Sequence, residues 1–99
     1  MVYIEKEEQF NDLINNELVI VDFYADWCGP CQLISPVLEE LEKEESKLTV
    51  VKVDVEKYEK LARKHNINSI PALEIYKKSV MVNKTVGYKT KEELKGLLK

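Results

Sequence analysis

Leu18-Val19-Ile20-Val21-Asp22-Phe23-Tyr24 runs into Ala25-Asp26-Trp27-Cys28-Gly29-Pro30-Cys31, and the organisation of the chain follows from that join. The first stretch is short, β-branched and nearly all apolar, the pattern of a central strand covered on both faces. Ala25 to Pro30 breaks it. Beyond the break Ile34, Val37, Leu38 and Leu41 fall on one helical face. Pro36 sits inside that helix, where it removes a backbone donor and is expected to kink it. A covered strand turning directly into an amphipathic helix is the opening unit of an α/β sheet.

Working outward, Val2-Tyr3-Ile4 suggests a short first strand, and Phe10, Leu13 and Ile14 have helical spacing. The charged run Glu39 to Lys47 reads as the solvated end of the helix after Cys31. Leu48 to Val55 is a second buried strand, with Val51, Val53 and Val55 on one face and Val50, Lys52 and Asp54 on the other. Tyr58, Leu61, Ala62 and His65 form a third helical stripe. Ala72 to Tyr76 and Val80 to Val86 are too close together for a helical crossover and are predicted to pair as an antiparallel hairpin. Thr90 and Glu93 have capping-box spacing, followed by Leu94, Leu97 and Leu98 on a terminal helix. The predicted order is βαβαβαββα: an α/β fold with a central mixed sheet flanked by helices on both faces, in one domain over residues 1–99.

Composition narrows the function. The chain has 99 residues, 15 Lys and Arg against 18 Asp and Glu, and a formal charge of −3. Folding a chain of this size buries roughly 65% of its extended surface, enough for one core without metal or disulfide staples. The acidic balance argues against nucleic acid as a ligand. No apolar run approaches a membrane span, and the N-terminus lacks the basic and apolar regions of a signal peptide, so a cytoplasmic protein is expected.

The two cysteines, Cys28 and Cys31, are three positions apart. Placed at the N-cap of the following helix, Cys28 meets unpaired amides and the positive end of the dipole, which favour a thiolate. Cys31 lies one turn further in and is expected to be the less exposed of the two. An attacking and a resolving thiol are the minimum apparatus for disulfide exchange. Pro30 suits the first turn, Gly29 leaves room for another backbone, and Trp27 offers a flat apolar wall. Zinc needs four ligands, and this chain offers two cysteines and one histidine, His65. Haem attachment needs a histidine after the second cysteine, where Gln32 stands. An inert structural pair stays open, though so short a loop gains little from closure.

Asp22 is the sole charge in its strand. If it is buried, its pKa should rise, and it could exchange a proton with Cys31; if it sits at the strand end, it reaches solvent. Lys52 is either its charge partner from the neighbouring strand or a solvated lysine. His65 is assigned no catalytic role, and Tyr24, Tyr58 and Tyr76 are read as packing residues.

Val21 to Cys31 closely resembles the active-site segment of the thioredoxin family. Ile70-Pro71-Ala72 resembles its cis-proline loop and Val86-Gly87 its later glycine turn, and the resemblance covers nearly the whole chain. It implies the thioredoxin fold and a protein-disulfide reductase with Cys28 as nucleophile, Cys31 as resolving thiol, and Asp22, with Lys52 nearby, in proton transfer. It further implies a cis Pro71 facing the cysteines. Trp27, Gly29, Pro30, Ile70, Pro71, Val86 and Gly87 would receive a partner's backbone. The implied partners are a thioredoxin reductase and disulfide-containing target proteins. No cofactor and no metal is expected: the chain lacks a G-x-G-x-x-G segment, and a monomer is the default. A thiol oxidase or isomerase and a non-enzymatic binding subunit are the rival readings. The chain departs from the family pattern at four places. Lys77-Lys78-Ser79 replaces a frequent glycine turn, Glu74 stands where an apolar residue is commoner and suggests a locally exposed sheet face, Gln32 replaces a frequent basic residue, and Tyr88 replaces a small one.

Overall fold

The computed structural model describes all residues, 1–99. The elements are β1 (Val2–Tyr3), α1 (Gln9–Leu13), β2 (Leu18–Tyr24), α2 (Gly29–Glu44), β3 (Leu48–Asp54), α3 (Glu59–Lys64), β4 (Ala72–Lys77), β5 (Val80–Val86) and α4 (Lys91–Leu97). The order is the one the sequence predicts. The five strands lie in the order β1-β3-β2-β4-β5. β1 and β2 flank β3 in parallel, and β4 and β5 continue antiparallel from β2.

Strand alternation splits the core in two. Val19, Val21, Phe23, Val51 and Val53 face α1 and α3 and pack with Phe10, Leu61 and Tyr76. Ile20, Val50, Leu73 and Ile75 face the other way, against Ile34, Leu38 and Leu41 of α2 and Leu94 of α4. The apolar stripe of α2 is therefore buried as its spacing requires, and the helix continues across Pro36. β2, in the middle, is covered on both sides, which explains its nearly unbroken apolar composition.

The terminal helix has its capping box: Thr90 accepts from the Glu93 amide, and Glu93 returns the bond to the Thr90 amide. Lys91 reaches Glu40 and Glu44 of α2, but these exposed pairs contribute little. Thr90→Ala should therefore cost about 1 kcal/mol through the cap itself. A thermal melt that leaves the midpoint unchanged would contradict this.

The β4–β5 turn solves its missing glycine in another way. Lys78 and Ser79 both take positive φ, 47° and 70°, as the tight hairpin turn that matches strand twist demands. Their amides donate to Asn16 and Ile14 carbonyls beyond α1, which holds the strained pair in place.

Glu74 corrects an expectation. Its sheet face is closed, not exposed: Glu74 is 0% accessible. Its carboxylate accepts from the Tyr76 hydroxyl at 2.7 Å and lies 2.9 Å from His65 Nδ1, with Lys84 Nζ at 3.8 Å. His65, read as one more residue of an apolar stripe, is the polar partner that makes this burial tolerable, while its ring packs edge-on against Phe10.

Candidate active site

The join between β2 and α2 lies at the carboxyl end of the central strand, where open α/β sheets place their chemistry. Cys28 is the N-cap of α2, with extended backbone, and its Sγ accepts from the Cys31 amide at 3.2 Å. That amide is one of the orphan donors of a helix start, and with the helix dipole it favours negative charge on this sulfur. Pro30, in the first turn, has no amide to leave unpaired. Cys28 and Cys31 are joined as a disulfide, with Cα atoms 5.2 Å apart. Both are buried, at 4% and 3%, so the expected difference in exposure is slight.

Around the pair, Cys28 Sγ lies 3.8 Å from the Ile70 carbonyl oxygen. The Ile70–Pro71 bond is cis. The Pro71 carbonyl accepts from the Gly87 amide at 2.8 Å, which ties the proline loop to the end of β5. Gly87 has φ +91°, a conformation that side chains rarely adopt. At Gly29 a Cβ would meet nothing within 4 Å, so its side of the site is open. Trp27 is 69% exposed beside the cysteines, and Val86 is exposed too. Gln32 donates to the Asp26 carbonyl at 2.8 Å, fastening the Trp27 loop to α2.

A buried ion pair adjoins the site through Lys52, which lines the same cleft as Cys31. β2 and β3 pair in register with Asp22 opposite Lys52. Both residues are buried, and Lys52 Nζ donates to Asp22 Oδ2 at 2.6 Å. This settles both sequence alternatives: Asp22 is not a solvated strand end, and Lys52 is its partner. Burial raises the Asp22 carboxyl above its ordinary range, and the Lys52 charge and hydrogen bond only partly oppose this. Asp22 Oδ1 is buried without a hydrogen-bond partner.

Lys52 has further company that sequence reading missed. Its ammonium donates to Ser35 Oγ at 3.1 Å and lies 4.8 Å from the Tyr24 ring centroid and 5.9 Å from that of Tyr3. Burial, with Asp54 and Asp26 nearby, pushes the Tyr24 hydroxyl up to about 12. Tyr3, Tyr24, Asp26, Cys31, Gln32, Ser35 and Lys52 share the walls of a cleft of about 180 Å³. The spacing of Ser35, four residues after Cys31, was a usable signal for shared location; nothing in the sequence placed Tyr3 there. No group of three or more His, Cys, Asp or Glu side chains is gathered to hold a metal ion, and no helix is long and apolar enough to cross a membrane.

A disulfide-forming cysteine pair at a helix start, beside the carbonyl that precedes a cis-proline, defines a thiol–disulfide oxidoreductase. The comparisons with known proteins give the family. The thioredoxin family model matches residues 1–99. A thioredoxin of Chlamydia trachomatis is 40% identical over 94 residues, covering 95% of this chain and 92% of that protein. One from Bacillus subtilis is 42% identical, covering 93% and 89%. Among solved structures, a mutant thioredoxin from Halobacterium salinarum superposes with a TM-score of 0.91 at 34% identity, covering 98% of this chain and 86% of that one. Plasmodium falciparum thioredoxin does so with a TM-score of 0.90 at 38% identity, covering 99% and 96%. The chain belongs to the thioredoxin family.

Proposed function

We propose that this chain is a general protein-disulfide reductase and electron carrier, a single domain that acts as a monomer in the cytoplasm. A target docks an extended segment against Trp27, Gly29, Pro30, Ile70, Pro71, Val86 and Gly87. Cys28 thiolate attacks the target disulfide, forming a mixed disulfide and releasing one target thiolate. Cys31 gives its proton to the Asp22 carboxylate and attacks Cys28 Sγ. The second target sulfur leaves with the electron pair and takes up a proton. Lys52 keeps Asp22 ionised against the pull of burial. A separate thioredoxin reductase returns the Cys28–Cys31 disulfide to the dithiol. The observation that carries this reading is the Cys28 sulfur at the helix N-cap, with the Cys31 amide pointing at it.

The test is insulin-disulfide reduction by dithiothreitol. Wild type should accelerate it and Cys28→Ser should not. Acceleration by Cys28→Ser equal to wild type, or none by wild type, would refute the reading.

The direction of the Asp22 shift fixes a pH dependence. Only the ionised carboxylate can accept the Cys31 proton, so resolution is fast above the Asp22 pKa and fails as pH falls through it. Because burial raises that pKa above 3.8, the loss should set in at a higher pH than an ordinary carboxylate would give. Asp22→Asn should remove this acid limb and slow resolution at neutral pH by about 100-fold, the usual worth of a positioned base. Rapid-mixing kinetics with Ellman's reagent would show it: the first release of thionitrobenzoate reports Cys28 and the second reports Cys31. An unaltered second phase in Asp22→Asn would exclude Asp22 as the base.

A further inference from the structure

We propose that Ser35 is a positioning residue for the resolving step, holding Lys52 on Asp22 from the same helix that carries Cys31. The inference rests on the reading of Asp22 as the base for Cys31.

A lysine ammonium has three donors and no acceptor. One N–H of Lys52 is used by Asp22 Oδ2 at 2.6 Å and another by Ser35 Oγ at 3.1 Å. The other near neighbours are the Tyr24 and Tyr3 rings, set edge to face with centroids 6.2 Å apart. Aromatic faces attract a cation but impose no direction on its N–H bonds. Direction comes from the two oxygens alone, and Ser35 supplies the one that is not the base itself.

Ser35 stands one helical turn after Cys31, and both line the cleft into which Lys52 projects. The ionisable groups around the ammonium are Asp22 and Tyr24 from β2, Tyr3 from β1, Cys31 from α2 and Asp26 from the β2–α2 join. Asp54 at the end of β3, Lys57, Glu5 and Tyr58 line the neighbouring groove that Lys52 also lines. Lys52 is the cation in contact with Asp22, so how firmly it is held decides how well the carboxylate is sustained. Without the Ser35 hydroxyl, one N–H loses its acceptor in a nearly closed cage, the ammonium is less fixed, and Asp22 takes up a proton at higher pH. Resolution then slows in acid, while the attack by Cys28, which does not use Asp22, is untouched.

The experiment is the two-phase reaction with Ellman's reagent across pH for wild type, Ser35→Ala, Ser35→Val, Ser35→Thr and Asp22→Asn. Melting curves confirm that each variant is folded. Ser35→Ala leaves space for water to substitute, and Ser35→Val fills it. The expected result is an acid limb of the second phase moved to higher pH in both, giving about threefold slower resolution below it for a shift of half a unit. The larger effect should appear in Ser35→Val, with Ser35→Thr restored to wild type and the first phase constant in all three Ser35 variants. A folded Ser35→Val, or a folded Ser35→Ala if valine is not tolerated, whose second-phase limb superposes on wild type would overturn the proposal. Failure of the underlying reading looks different: there the wild-type limb persists in Asp22→Asn.

Discussion

Exchange of Cys31 for serine will stop turnover and leave the protein covalently tethered to its target through Cys28. Cys28 and Cys31 are joined as a disulfide with Cα atoms 5.2 Å apart, so the backbone already holds the second sulfur within bonding reach of the one it must attack. Well-placed intramolecular groups reach effective concentrations of about 10⁵ M or more, against millimolar dithiothreitol in solution. Removing the built-in attacker should lower steady-state insulin reduction by at least about 100-fold while Cys28 still reacts once. Non-reducing electrophoresis should show a one-to-one adduct that dithiothreitol releases. Cys28→Ser should give neither turnover nor adduct. A Cys31→Ser protein that turns over at the wild-type rate, or one that forms no adduct, would show that the two sulfurs do not divide the work in this way.

The second large effect concerns stability. Glu74→Ala should destabilise the fold by about 2–4 kcal/mol, because it strips partners from groups the core cannot hydrate. The Tyr76 hydroxyl and the His65 Nδ1 both lean on this carboxylate, and Tyr76 is itself buried. Lys84 is exposed enough to turn to water and should matter less. For a chain of about this size that loss lowers the melting temperature by at least about 10 °C. Replacing the group as a unit, with Glu74→Leu, Tyr76→Phe and His65→Phe, should recover most of the loss, because apolar side chains leave no polar atom unpaired. A midpoint for Glu74→Ala within a degree or two of wild type would contradict the network's role.

Glu74 also marks where the sequence stopped being readable. A carboxylate in a strand looks solvated when its neighbours are read along the chain. Its partners come from the end of α3 and from β5, and only the folded sheet brings them together. Tyr76 was the one local clue, since residues two apart in a strand share a face. Lys52 shows the same limit. Two roles were open until β3 was placed beside β2 in the register that sets Asp22 opposite Lys52. Tyr3 sits across from Lys52 on β1, another product of strand order.

What could be read directly was what local physics decides. An apolar run the length of one strand became β2. The spacing of Ile34, Leu38 and Leu41 became the buried face of α2. Thr90 and Glu93 made their box. The position of Cys28 at the start of a helix followed from the break between those two elements. The cis bond before Pro71 has no such local signature, since cis is the minority form of any X–Pro bond; the family resemblance supplied it.

The most direct test of the central claim is the rate of Cys28 alkylation by iodoacetamide as a function of pH, on the reduced protein. A thiol at the helix N-cap facing an orphan amide should titrate well below the ordinary cysteine value of about 8.5, giving near-maximal reactivity at neutral pH. A profile that rises only around that ordinary value would mean that the helix start does not activate this sulfur, and the proposed chemistry would lose its nucleophile.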